Sequence, residues 1–369
     1  MNEKKEEKRV GGILEGLVEG LTGAIADAIF TYDFTSIMGR SPTPIVGVLS
    51  PLLDVFSPIV ERLFDKLSPL LKALEPLSEA VGPLVKLVGF ISDPLFKNFS
   101  EEYNPTRLYT FRVFIGSMET IVLWLGYEIC KGRLRFLIES RTTRNIVSYL
   151  IVYPIAKWVT TGVVTPTRDV ISIIQQLEGK IAVGPCQCRG NIQKYSPTCK
   201  CDHPLRTDMA IRTGTEPFKE AFPKDREYIE KDEAIRIVDE CSKKGMFNQV
   251  FVHCMYGGAI NEWAICNCCT DGCVPYILNR TLGQEVFPLI RGDEFSVTDK
   301  EMCDRSKCSD ECIEVCPFDA RNIVNNVVKV GDCFGCGLCE LKCPNDAIKL
   351  VKKEKTVPFR GKYVWEKNL

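Results

Sequence analysis

Between residues 46 and 95 the apolar positions come in short runs, several opened by a serine and a proline: "SPLLDVF", "SPIVERLF", "SPLLKALE". The prolines stand at Pro51, Pro58, Pro69, Pro76, Pro83 and Pro94, in steps of 7, 11, 7, 7 and 11. A polar residue followed by proline signals a helix start, because proline at the first helical position loses no needed hydrogen bond. Steps of 7 and 11 return to nearly the same face of a helix. The pattern predicts either a chain of short capped helices or one longer helix kinked repeatedly on one side. Leu52, Leu53, Phe56, Ile59, Val60, Leu63, Phe64 and Leu67 form its apolar face. That face either closes a core of its own or offers an amphipathic surface to a membrane or a partner subunit.

Farther along, "NIVSYLIVYPIAKWVTTGVVT" at 145–165 has nearly the length of a membrane span, about 20 apolar residues, but Pro154 and Lys157 interrupt it. "METIVLWLGYEIC" at 118–130 is too short, so no transmembrane helix is expected. Arg112, Arg133, Arg135, Arg141 and Arg144 surround these stretches, either favouring anionic lipid or solvating the outer faces of helices. "EKDEAIRIVDECSKKGM" predicts a helix with Ala234, Ile235, Val238 and Cys241 on its buried stripe, Asp232 capping its start and Gly245 its end. "VFVHCM" at 250–255 reads as a short buried strand.

Composition changes the picture at one residue type. The 369-residue chain is long enough for two or three domains, 45% apolar and of formal net charge −1, which implies no nucleic-acid partner. It carries 19 cysteines, and only Cys130 and Cys241 stand outside local clusters. An odd, clustered set in a chain this size points to metal binding rather than a secreted disulfide scaffold. The charged start "MNEKKEEKRV" is no signal peptide, so the expected setting is a reducing cytoplasm, at most peripheral to the inner face of a membrane. Thiolates at this density also fit an anaerobe. Four regions follow: a helical, proline-punctuated docking region at 1–180, a cysteine-rich mixed domain at 181–295, a second cysteine-rich segment at 296–352, and a basic and aromatic tail at 353–369. The expected fold class is α+β.

The strongest motif is "CFGCGLCELKCP" at 333–344, with cysteines spaced by two, two and three residues and then proline. Three such thiolates wrap one corner of a cubane, and Gly335 and Gly337 let the backbone turn tightly around it. Upstream, "CDRSKCSDECIEVCPFDA" is a second copy: "CPFDA" at 316–320 answers "CPNDA" at 343–347, 27 residues on. The loop of the first copy is longer by three residues.

These 55 or so residues resemble the bacterial-type dicluster ferredoxin domain. The resemblance implies two [4Fe–4S] clusters, one on Cys333, Cys336, Cys339 and Cys316, the other on Cys303, Cys308, Cys312 and Cys343. It implies electron transfer. Zinc in these positions is disfavoured, because the interleaved spacing is tied to cubanes.

Two further knots precede this segment. "CQCRGNIQKYSPTCKCDHP" holds Cys186, Cys188, Cys199 and Cys201; "CNCCTDGC" holds Cys266, Cys268, Cys269 and Cys273; Cys254 lies between. Either the first knot closes a site alone, or the two knots share one. Adjacent Cys268 and Cys269 point in different directions, so Cys266, Cys268 and Cys273 are the first candidates and Cys269 the one to be spared. The combination of "CQCR", "CDHP" and "ICNCC" with a dicluster segment is similar to a group of multi-cluster ferredoxin-like proteins of anaerobes. That similarity implies at least one additional iron–sulfur cluster. Zinc is the competitor for these knots, although its knuckles usually space their cysteines by two to four residues. His203 and His253 are each either a ligand or a hydrogen-bonding neighbour of one.

The reading that follows is an electron-transfer protein or subunit. Its clusters relay electrons to a partner redox enzyme, and its helical half docks that partner, the membrane surface or another copy. The alternatives are a redox enzyme with a substrate-binding open iron in 181–295, and a wire whose upstream knots hold structural zinc. No dinucleotide fingerprint supports a flavin or nicotinamide.

Overall fold

The computed structural model describes residues 43–85, 120–158, 162–212, 219, 224–252, 262–325 and 327–353. His253, Cys254, Pro94, Arg112 and the tail beyond Lys353 lie outside them.

The proline-punctuated stretch forms one long helix, α1 (Thr43–Ala73), with Pro51, Pro58 and Pro69 inside it, followed by the short α2 (Glu75–Glu79). The apolar face expected from the sequence is divided. Leu53, Val60 and Phe64 are half-buried, whereas Leu52, Phe56, Ile59, Leu63 and Leu67 are exposed. The buried stripe instead runs through the small residues that precede the prolines. Ser50 and Ser57 are buried with Val46, and Ser78 and Gly82 continue the line. Their small size permits close approach. A Cβ on Gly47 would stand 3.1 Å from the Tyr195 hydroxyl, and one on Gly82 would meet the Tyr149 ring at 2.8 Å. Ser50 Oγ donates to the Tyr195 carbonyl at 2.9 Å.

A second helix, α3 (residues 120–130), lies against this contact. Its Glu128 is fully buried and takes hydrogen bonds from Arg133 Nη2 at 2.8 Å and Ser196 Oγ at 2.6 Å. Arg133 also reaches Asp54 and the Ser50 and Tyr195 carbonyls, so one buried carboxylate and one arginine tie α1 to the segment after Cys188. A lone buried carboxylate would be costly, and the pairing offsets this.

The stretch at 145–165 does not continue as one helix. After α4 (Arg141–Ile146) it widens into a π-helical turn, Val147–Val152, and resumes as α5 (Tyr153–Trp158). Pro154 explains the widening, since it cannot donate into a regular helix and crowds the preceding turn. Among the described residues no helix is long and apolar enough to cross a membrane.

Beyond this the chain builds an antiparallel six-stranded sheet. Its elements are β1 (Val163–Thr165), α6 (Thr167–Gln176), β2 (Ile181–Pro185), α7 (Gln187–Tyr195), β3 (Arg206–Arg212), β4 (Glu227–Ile229), α8 (Lys231–Lys243), β5 (Phe247–Val252), β6 (Glu262–Cys268) and α9 (Val274–Leu282). The strand order is β1-β5-β6-β3-β2-β4. The sheet thus recruits β1 and α6 from the region read as helical up to residue 180. On one face α6 and α8 bury Val170, Ile174 and Val238 against Val183, Met209, Val250 and Ile265. Cys241 belongs to this core, and burial pushes its thiol up to about 11. Cys130, buried in the other cluster, is raised to about 11 for the same reason. Glu230, not Asp232, occupies the N-cap of α8, and Gly245 follows its end with φ 78°.

The C-terminal segment begins with β7 (Glu294–Thr298), two residues before the expected boundary, and contains α10 (Glu311–Glu314), β8 (Arg321–Val324), β9 (Val327–Val330), α11 (Leu338–Leu341) and β10 (Ile348–Lys352). β10 pairs with β7, and β8 with β9. The 27-residue repeat is written into the backbone. Asp310 and Gly337 both precede a four-residue helix in the left-handed conformation, at φ 61° and 78°. Asp319 and Asp346 both follow a Cys-Pro turn at φ 51°. The described residues combine helices and sheets as an α+β protein.

Candidate metal centres

In the C-terminal segment the structure draws the cysteines into two groups. Cys303, Cys308, Cys312 and Cys343 face one another in one, and Cys316, Cys333, Cys336 and Cys339 in the other. Each group takes three thiols from one copy of the repeat and the fourth from the other. Two turns after α10 and α11 bring this about, because each helix ends in a Cys-Pro step that sends its last cysteine across.

The donors suit cluster thiolates. Ala320 N donates to Cys316 Sγ at 3.3 Å and Gly335 N to Cys333 Sγ at 3.4 Å. Such N–H···S bonds stabilise thiolate charge on iron. A Cβ on Gly335, which has φ 78°, would collide with the Glu294 carbonyl oxygen at 2.6 Å, so the turn demands glycine. Burial pushes the Cys339 thiol up to about 11, a penalty on the bare thiolate that metal coordination would offset. Arg321 stands between the groups. It is 3% exposed and donates to Ser296 Oγ at 2.9 Å, with Cys339 Sγ at 3.9 Å on one side and Cys312 on the other. The sequence offered no sign of this role, since one arginine after "FDA" has no distinguishing pattern.

The family model of the LdpA Fe-S cluster-binding domain matches residues 303–354. Ferredoxin-1 of Caulobacter vibrioides is 46% identical over 57 residues, 15% of this chain and 48% of that protein, so the chain spans about half the length of that relative. An uncharacterised ferredoxin of Methanocaldococcus jannaschii is 36% identical over 55 residues, 14% of this chain and 87% of that protein. Through this segment the chain belongs to the ferredoxin-like iron–sulfur proteins. No solved structure matches the chain.

North of this ferredoxin segment in the sequence, the two upstream knots meet at one end of the six-stranded sheet. Cys186 is the N-cap of α7 and Cys188 lies in its first turn, while Cys273 is the N-cap of α9. Cys266 and Cys268 share a face of β6, two residues apart. These five thiols form one group: Cys188 contacts Cys186 and faces Cys273, and Cys268 contacts both Cys266 and Cys273. Two helix N-termini aimed at the group favour thiolate. A hydrogen bond from Cys188, helped by Arg189, draws the Cys186 thiol down to about 7. Gln249 Nε2 donates to Cys268 Sγ at 3.2 Å. Cys266 differs, donating to the Asp208 carboxylate at 3.1 Å, and Asp208 is ion-paired with buried Arg226. Five thiols fit a four-ligand cluster with one to spare.

The first knot therefore closes no site alone, and its other pair is split. Cys201 turns to Cys269, whereas Cys199 lies against the Tyr127 hydroxyl. Among the described residues, the eight cysteines of the two knots make a group of five, a pair and a single thiol.

A further residue joins these elements. Arg189, the last letter of "CQCR", is fully buried. It donates to the Asn267 carbonyl at 2.8 Å and to the Pro204 carbonyl at 2.9 and 3.1 Å, and its Nη1 lies 3.8 Å from Cys269 Sγ.

Proposed function

We propose that the chain is an electron relay. Two [4Fe–4S] clusters sit in the ferredoxin segment and a third is bound by Cys186, Cys188, Cys268 and Cys273, with Cys266 kept protonated against Asp208. One observation carries this reading: the upstream group and the inner ferredoxin group share a single core. Four aromatic residues fill the space between them. Phe247 lies opposite Cys268 in the β5–β6 register, Tyr276 follows Cys273 by one helical turn, Phe318 follows Cys316, and Phe334 follows Cys333. Their rings are in contact, Phe247–Phe318 at 5.2 Å and Phe318–Phe334 stacked at 4.1 Å between centroids. The outer group, Cys303, Cys308, Cys312 and Cys343, is half-buried and supports exchange with a partner at the surface, while Cys336 and Cys339 are buried.

The names of the two ferredoxin relatives support electron transfer as the task. The exposed row Leu52, Phe56, Ile59 and Leu63 on α1 supports docking of a redox partner protein at the helical end. Iron counting after anaerobic purification tests the cluster number. About twelve iron atoms per chain and paramagnetic signals from three clusters on reduction are expected, four irons for each cubane. About eight irons and two signals would remove the upstream cluster from the relay.

Arg321 makes a separate prediction. A cation beside a cluster stabilises its reduced, more negative state and so raises its potential. A unit charge about 8 Å away at an effective dielectric of about 20 contributes roughly 2 kcal/mol. Arg321→Met is therefore expected to lower both ferredoxin-segment potentials by about 50–100 mV, using 59 mV per tenfold. Redox titration followed by electron paramagnetic resonance measures this. A shift confined to one cluster would show that the arginine serves only that group.

A further inference from the structure

We propose that Cys201, His203 and Cys269 bind a single divalent metal ion, zinc by the chemistry of the donors, at a site separate from the iron–sulfur groups. The site lies outside the four upstream thiols assigned to a cluster, so it stands whether or not that cluster forms.

The spacing of the donor atoms is the first argument. Cys201 Sγ and Cys269 Sγ are 3.6 Å apart, Cys201 Sγ and His203 Nδ1 are 3.7 Å apart, and all three atoms lie within 4.8 Å of one another. A tetrahedral zinc with bonds of about 2.3 Å to sulfur and about 2.0 Å to nitrogen sets its ligand atoms roughly 3.5–3.8 Å apart. Two thiolates and an imidazole form a set known at catalytic zinc, with water as the fourth ligand, and sulfur and nitrogen donors exclude magnesium and calcium.

Local structure explains how the three donors meet. Cys201 and His203 stand two residues apart in the irregular stretch between α7 and β3, with their donor atoms 3.7 Å apart. Cys269 leaves the end of β6 one residue after Cys268, so it points away from the five-thiol group. The cradle around them is specific. Gln193 Nε2 donates to the Cys201 carbonyl at 2.9 Å and the His203 carbonyl at 3.1 Å, and lies 3.8 Å from Cys201 Sγ, fixing both ligand residues at once. Gly272 N donates to Cys269 Sγ at 3.3 Å, and the Arg189 guanidinium adds a second N–H. Metal-bound thiolates are held by such donors. Gly272 has to be glycine here, because a Cβ would stand 2.7 Å from Arg189 Cγ and 3.1 Å from Cys201 Sγ. Both cysteines are buried and His203 is half-buried, which places the ion at the edge of the fold where it can enter.

The test uses the full chain, purified anaerobically, with zinc and iron counted in the same sample by mass spectrometry. About one zinc per chain is expected beside the iron, as for a single mononuclear site. His203→Ala, at a half-exposed position, is expected to lose at least ten-fold in zinc retained after dialysis against a mild chelator, with iron per chain unchanged. His203→Cys restores a third thiolate and is expected to retain zinc, which separates ligation from a folding defect. Cobalt loaded in place of zinc is expected to give a sulfur-to-cobalt charge-transfer band that Cys269→Ser weakens. The proposal is overturned if the wild-type chain carries no zinc, or if His203→Ala keeps it. It is equally overturned if Cys201→Ser and Cys269→Ser remove iron while zinc stays, or if the two thiols are recovered as a disulfide under anaerobic conditions. An iron count of about eight with zinc intact would remove the upstream cluster and support this site.

Discussion

Replacing Cys316 by alanine is expected to remove about four iron atoms and one cluster signal, and the cluster lost is expected to be the one on Cys333, Cys336 and Cys339. Its own sequence neighbours, Cys303, Cys308 and Cys312, are expected to keep theirs. The geometry is the reason. The Cys-Pro step after α10 carries Cys316 away from its own copy of the repeat and sets it beside Cys336 and Cys339. Cys343 makes the reciprocal crossing, so Cys343→Ala is expected to empty the other group. Stability follows the same division. Cys336 and Cys339 are each 7% exposed, and Cys336, with Cys316 and Cys333 beside it, belongs to the same core as Phe318, Phe334 and the upstream Cys268 and Cys273. Metal binding of this kind is folding free energy. Cys316→Ala is therefore expected to lower the melting temperature more than Cys343→Ala, whose group is half-buried. Iron counts, paramagnetic resonance and thermal melts on both variants measure this. If Cys316→Ala spares the Cys333 group and empties the Cys303 group, the interleaved arrangement is wrong.

The segment around those cysteines was the most legible part of the sequence, for a physical reason. A repeat at fixed offset constrains the backbone as well as the ligands, and Asp310 with Gly337, and Asp319 with Asp346, take matching conformations 27 residues apart. Strand alternation was also legible: adjacent Cys268 and Cys269 face opposite ways because consecutive side chains on a strand must. Which thiol each would meet was not, since Cys186, Cys188 and Cys201 arrive through the pairing of β2, β3 and β6. The face of α1 was legible only in part. Amphipathic reasoning gives weight to large apolar side chains, but this helix seats itself through Gly47, Ser50 and Ser57, where small size permits contact, and leaves Leu52, Phe56 and Ile59 outside. The recruitment of Val163–Thr165 as an edge strand was likewise invisible, because three residues carry no period and it is pairing with the distant β5 that makes them a strand.

Arg189→Met is expected to cost the chain about 3–5 kcal/mol of stability and, with it, the upstream cluster, a loss of about four iron atoms. Burial works against the charge of Arg189, but Cys186, Cys269 and Cys268 around it more than offset this and hold the guanidinium firmly protonated. It is thus the counter-charge for thiolates that converge from the ends of β2 and β6. It is also a hydrogen-bonding brace. The Pro204 carbonyl belongs to the stretch entering β3, the Asn267 carbonyl to β6, and Thr207 Oγ1, which also accepts from it, to β3. Methionine fills a similar volume and removes the donor from all three acceptors, at roughly 1–3 kcal/mol each where no water reaches. Arg189→Lys separates the two roles. It keeps a positive charge on a single donor, so it is expected to recover part of the iron but little of the melting temperature. Neither variant should alter the ferredoxin-segment clusters, whose cation is Arg321. If Arg189→Met retains all its iron and melts with the wild type, the upstream thiols need no counter-charge, and their grouping around a charged cluster loses its main support.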